Sequence, residues 1–222
     1  MWDYFREHKG AILFIVLMTF FRGAIADWNH VPTGSMKPTI VEGDHILINR
    51  LAYDIKLPLT AVSVWRLADP ERGDIVVFDS EAAGMRMVKR VIGLPGDSVA
   101  MRNNRIYINH RQLPRKSVAQ CSSHDEGYEA YREELGSTSY CLQLSGEIHR
   151  FGSFGPAVVP ADHYLVLGDN RDNSADSRVH GFIPRKEIIG RTLRVAWSLD
   201  RGRFYRPRFQ RFFSGLDPVA PQ

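Results

Sequence analysis

Beyond residue 30 the apolar residues come in short runs cut by Gly, Pro, Asn and Asp, and this punctuation constrains the fold most. "HILIN" (45–49), "DIVVF" (74–78), "RIYIN" (105–109) and "HYLVLGDN" (163–170) are apolar or alternating stretches that end in turn residues. "MRMVKRVIGLPGD" (85–97) runs as a strand into a Pro-Gly turn, and "RTLRVAWSL" (191–199) reads as a last strand. "YEAYREEL" and "TSYCLQL" flank Gly136-Ser137, the pattern of a long hairpin. Short strands so punctuated predict a mainly β fold, an antiparallel sheet or barrel. At 222 residues the chain can bury one core, or a core with a small second lobe. The polar stretch from about 98 to 160 reads as that inserted lobe. There is no internal repeat and no low-complexity linker.

The N-terminus is different. Arg6, Glu7 and Lys9 precede an unbroken apolar run, Gly10 to Phe21, of 12 residues; counting past Arg22 to Ala26 makes it 17. A spanning helix needs about 20, so the segment fits a short anchor in which Arg22 reaches the interface. It equally fits a cleavable signal peptide, with "AIA" (24–26) as its A-x-A site. Either way the chain enters the export route, and residues beyond about 27 lie outside the cytoplasm.

Net charge is +4, a mild excess that suits an anionic membrane surface or nucleic acid without choosing between them. In the tail, "DRGRFYRPRFQRFFSGL" alternates arginines with aromatics. The apolar N-terminus weights membrane lipid as its partner over nucleic acid, which is not expected. Two cysteines, Cys121 and Cys141, with no paired-ligand spacing, exclude a zinc site of the usual kind. In an exported domain they either form one disulfide or remain thiols. "GDNRDNSADSR" resembles a calcium loop, but Arg171 occupies a ligand position and no glutamate closes the pattern, so calcium is rejected.

The chemistry centres on "VPTGSMKPTI" (31–40). Pro32 and Pro38 stiffen the chain around Ser35, and a serine nucleophile needs a neighbour that takes its proton. The elbow G-x-S-x-G is absent, since Thr33 and Lys37 occupy the glycine positions, which disfavours an α/β-hydrolase. A Ser35, His180, Asp176 triad is one arrangement. Lys37 lies too close in sequence, beside Pro38, to fold back on Ser35. Lys89 is the stronger candidate. In the strand around 85–92 it shares a face with Met85, Met87 and Val91, while Arg86 and Arg90 share the other with Val88 and Ile92. Desolvation on an apolar face lowers a lysine pKa and leaves an amine able to act as base.

Four segments, "PTGSMKPTI" with "EGD", "RGDIVVF" (72–78), "RMVKRVIGLPGD" (86–97) and "LGDNRDNSADSR" (167–178), resemble, in order, those of the bacterial type I signal peptidases. These are membrane-bound serine proteases that remove signal peptides from exported preproteins. The resemblance implies Ser35 as nucleophile and Lys89 as general base. It implies Thr33 with the Ser35 N–H as oxyanion hole, Ser174 as the serine that orients the lysine, and Asp176 and Arg178 as a structural ion pair. It implies no cofactor and no metal, and cleavage after a small-x-small motif. It also implies a retained anchor over 10–26, a cytoplasmic N-terminus over 1–9, and an extracytoplasmic catalytic domain over 27–222. The location implied is the inner (plasma) membrane, crossed once, with "AIA" a possible self-cleavage site. One apolar N-terminal segment stands where many members have two, and "RVHG" (178–181) where aromatics are often found. A specialised pilin-processing or conjugation peptidase is the alternative within the superfamily. A catalytically inactive, anchored β-rich binding protein is the alternative of another class.

Overall fold

In a computed structural model, the structure describes residues 8–57, 60, 62–123, 125–146 and 150–216. The fold is mainly antiparallel β, as the punctuation predicts. Across the main sheet the strands run Ala26–His30, Asp44–Asn49, Ile188–Asp200, Ile75–Ser80, Met85–Gly93, His163–Leu167 and Ile183–Pro184, and Arg206–Pro207 also pairs with the long strand Ile188–Asp200. Neighbours pair antiparallel throughout. Met85–Gly93 therefore has partners on both edges: Val76 lies opposite Lys89 on one side, and Leu167 opposite Arg90 on the other.

The stretch expected as an insertion folds into two small sheets. One orders Phe154–Val158, Ser98–Arg102, Arg105–Ile108 and Arg111–Gln112; the other orders Arg115–Lys116, Glu129–Leu135 and Thr138–Leu144. The expected hairpin around Gly136 is present. Val99, Met101, Ile106, Leu135 and Leu142 bury together with Leu165 and Leu167 of the main sheet, so the lobe shares a core with the sheet that carries the site. A second cluster, with Met36, Ile40, Ile46 and Ile48, fills the space beneath the loop that holds Ser35. Cys121 and Cys141, left open by the sequence, form a disulfide with Cα atoms 5.5 Å apart.

The expected apolar span 10–26 is helical only over Lys9–Ala24, 16 residues, about 24 Å at 1.5 Å per residue. Among the described residues no helix is long and apolar enough to cross a membrane. The helix stops short because Ala26 already belongs to a strand, paired with Asn49. Arg22 is tied to that strand rather than aimed at an interface: its guanidinium pairs with Asp27 at 2.8 Å and stacks 4.0 Å over the Trp28 ring. Residues 1–7, most of the expected cytoplasmic N-terminus, lie outside the described residues.

Candidate active site

Ser35 sits in the loop between Ala26–His30 and Asp44–Asn49, and Lys89 lies midway along Met85–Gly93. The fold brings them together: Lys89 Nζ is 2.7 Å from Ser35 Oγ, and it also donates to the Val88 carbonyl at 3.0 Å. Lys89 is buried. That burial disfavours the ammonium and pulls its pKa down to about 8; the charges of Asp176 and Asp169 pull it back up, and Arg178 pushes it further down. An amine with such a pKa, in contact with a hydroxyl, is equipped to accept its proton.

The dyad opens on a cleft of about 570 Å³. Thr33 and Ser174 line it together with Ser35 and Lys89, and its apolar walls include Met85, Met87, Phe151 and Val179. Thr33 is exposed at the mouth. The Ser174 hydroxyl is buried beside the Asp176 carboxylate, which it helps hold ionised, without a hydrogen bond of ordinary length, and both hydrogen bonds that Lys89 makes go elsewhere.

Asp176 and Arg178 pair at 2.8 Å with both side chains buried. Asp176 also accepts from the Gly168 N–H at 3.0 Å. Burial pushes the Asp176 carboxyl up, but the Arg178 guanidinium and the Gly168 N–H outweigh it and hold the pKa below the usual value. This occupancy disposes of the triad: the Asp176 carboxylate serves Arg178, and His180 is not among the residues lining the cleft. Lys37 is likewise spent, on Asp125 at 2.8 Å and Glu42 at 3.0 Å. Burial lowers its pKa, the two carboxylates raise it, and they prevail.

Four further residues hold the dyad in place, and sequence reasoning gave them no role. Asn170 grips the Ser35 loop twice, its N–H on the Ser35 carbonyl and its side-chain amide on the Gly34 carbonyl, each at 3.1 Å. Gly168 lies so close that a Cβ there would fall 2.4 Å from the Ser35 carbonyl oxygen and 2.2 Å from Ser174 Oγ. Arg90, read as one of the arginines on the strand's other face, is buried and forks onto Asp169 at 2.9 and 2.6 Å. Asp169 also accepts from Thr39 Oγ1 at 2.5 Å. The strand of Lys89, the loop of Ser35 and the 168–178 turn are thus one buried polar network. One signal was legible: an arginine inside the apolar run Val88–Ile92 demands a carboxylate.

The model of the family "Signal peptidase, peptidase S26" matches residues 5–197. A signal peptidase I of Pseudomonas aeruginosa is 35% identical over 199 residues, covering 84% of this chain and 69% of its own. One of Rickettsia typhi is 39% identical over 187 residues, 76% of this chain and 70% of its own. This chain belongs to the signal peptidase family. It is accordingly a serine endopeptidase, a hydrolase of the type I signal peptidase kind. A crystal structure of a signal peptidase I from Enterococcus faecalis is 33% identical, with a TM-score of 0.37, over 56% of this chain and 97% of that one.

Proposed function

We propose that the chain removes signal peptides from exported preproteins with a Ser35–Lys89 dyad and no cofactor, cutting after a small-x-small motif while held at a membrane. The observation that carries the proposal is the 2.7 Å contact between a serine hydroxyl and a buried lysine whose pKa is near 8. Neutral Lys89 takes the Ser35 proton as Oγ attacks the scissile carbonyl. The oxyanion that forms is met by the Ser35 N–H and the Thr33 hydroxyl; one such donor is worth about 3 kcal/mol in other proteases. The ammonium then returns its proton to the departing amine, leaving an acyl-enzyme on Ser35. A water activated by the same amine releases the signal peptide.

The remaining assignments follow from position. Ser174, which lines the same cleft as Lys89, is the serine that orients the lysine, its hydroxyl accepting a hydrogen bond from Nζ once Ser35 is acylated. Asp176 and Arg178 fix the 168–178 turn against the lysine. Residues 27–222 form the catalytic domain outside the cytoplasm, with 98–160 as its lobe. The helix Lys9–Ala24 seats it on the membrane: Leu13, Phe14, Ile15, Leu17 and Met18 are all exposed.

The test is cleavage of a preprotein by Ser35→Ala and Lys89→Met. Each should be folded by circular dichroism and inactive. Cleavage by a folded Lys89→Met chain would remove the lysine from the mechanism.

A further inference from the structure

Between the main strands Asp44–Asn49 and Ile75–Ser80 the chain forms a two-stranded ribbon, Asp54–Lys56 against Ser63–Arg66. Its polarity is inverted. Asp54 and Lys56, the charged residues, are buried. Asp54 takes the Arg185 guanidinium at 3.0 Å and the Ser63 hydroxyl at 3.1 Å; Lys56 Nζ donates to the Ile188 carbonyl at 2.6 Å. The residues turned to the outside are Ile55, Leu57, Val62, Val64, Trp65 and Leu67, with Trp65 67% exposed. Ile55 and Trp65 are register partners and share the outer face, and Val64, beside them where the register shifts, is exposed as well. A ribbon meant for water would be turned the other way.

The ribbon starts where the N-terminal helix stops. The Ile25 carbonyl, one residue past the helix, accepts from the Arg50 N–H at 3.0 Å. Arg50–Ala52 is the short turn that leads into Asp54. The helix end and the ribbon base therefore occupy one end of the sheet. We infer that the ribbon of Asp54–Lys56 and Ser63–Arg66 is a second membrane contact, lying in the headgroup–acyl boundary beside the helix Lys9–Ala24. The inference rests on the reading of that helix as seated in a bilayer.

Depth follows from backbone chemistry. A two-stranded ribbon has two unpaired edges, and unpaired N–H and C=O groups are not tolerated in the hydrocarbon core. In the interface, headgroups and water satisfy them while apolar side chains enter by about 5–10 Å. Tryptophan, with an apolar body and one donor, is the residue that prefers this layer. Arg66, at the end of the second strand, pairs with Asp69 at 2.5 Å on the water side. The cleft is built from the same sheet, so two contacts fix its height and tilt over the membrane where a helix alone would let it swivel.

The test uses the full chain with Trp2, Trp28 and Trp197 changed to Phe, so that Trp65 is the one emitter. It is reconstituted in phosphatidylcholine–phosphatidylglycerol vesicles brominated at shallow or at deep acyl positions, and circular dichroism shows that it is folded. Trp65 emission should be shifted to the blue and quenched more by shallow than by deep bromines. Val64→Asp with Ile55→Asp should lose that quenching and cut membrane-held preprotein more slowly, with kcat/KM for the soluble peptide unchanged. A chain that floats with vesicles while its Trp65 stays unquenched overturns the inference alone; the ribbon is then bare or kept for a protein partner. A chain that does not float overturns both the inference and the membrane seat. Quenched Trp65 in a chain that cleaves nothing leaves the inference standing and removes the proposed dyad chemistry.

Discussion

At the scale of single residues, the lysine alone accounts for two pH dependences with defined signs. Lys89 works as a base only when neutral, so kcat/KM on a peptide should climb as pH rises through about 8 and level off above it. A climb centred near 6 to 7, where an unperturbed histidine titrates, would contradict the assignment. Stability has its own window. The folded pKa is about 8 against an ordinary 10.5. Below about pH 8 both states bind the proton and the fold bears the full cost of a buried ammonium, roughly 3 kcal/mol. The cost fades between about 8 and 10.5, so this group makes the protein more stable as pH rises across that range. Lys89→Met should flatten that rise in denaturant midpoints measured from pH 8 to 10. Gly168 is the other residue-scale test. An alanine Cβ would meet a backbone oxygen that belongs to the nucleophile itself, 2.4 Å away. Such overpacking costs about 1–3 kcal/mol, and it moves Ser35. Gly168→Ala should lower kcat far more than it raises KM, in a chain that still melts cooperatively. The dyad was legible because a lone lysine on an apolar face and a serine between prolines are both anomalies of pattern. Asn170 was not, because it acts through carbonyls of residues 34 and 35 that no spacing in the sequence relates to position 170.

At the scale of elements, the site depends on a loop clamped from three sides. Asn170 holds its turn from behind, Arg90 and Asp169 hold Thr39, and the lobe holds its far end. The last hold is indirect. Lys37, two residues after Ser35, pairs with Asp125, whose carboxylate also takes the Gln143 amide at 2.7 Å. Cys121, four residues before Asp125, is bonded to Cys141, two residues before Gln143. The disulfide thereby closes a frame around the loop's anchor. A misplacement of about 1 Å can cost up to about 100-fold in rate. Asp125→Ala, and separately Cys121→Ser with Cys141→Ser, should each lower kcat several-fold to that limit, and Asp125→Glu should recover part of it. Unchanged kcat in both variants would make the clamp irrelevant to catalysis. Elements were legible where alternation was strong, as in Met85–Gly93 and the hairpin at Gly136. Ala26–His30, "ADWNH", carries no strand pattern and is strand only because Asn49 to His45 pair with it. The ribbon was missed for the reverse reason: its exposed positions are apolar and its buried ones charged, so period-2 logic has no core face to find.

At the scale of the whole molecule, the proposed function divides the work: a membrane seat would govern which substrates are reached, and the Ser35–Lys89 pair what happens to them. An enzyme and a signal peptide confined to one bilayer meet at a raised local concentration without any new contact between them. A soluble peptide gains nothing from that confinement. Removing the helix should therefore separate the two activities, provided the cut spares the sheet. Ala26 and Asp27 pair with Asn49 and Ile48, so a truncation through residue 26 would clip the edge strand next to the nucleophile's loop. A chain that begins at Gly23 keeps every residue of that strand. It should cleave a short peptide with kcat/KM near that of the full chain and lose most of its rate on preprotein held in vesicles. Anionic lipid should return part of the loss, because Arg203, Arg206 and Arg208 stand beside the exposed Phe204, Tyr205 and Phe209 near the far end of the sheet. Reversing those three charges should abolish that recovery first at low salt, where screening is least. Equal rates for the full and truncated chains on vesicle-held preprotein would show that the helix contributes nothing to reaching the substrate. Ser35 and Lys89 would keep their roles, since the soluble peptide reports on them alone.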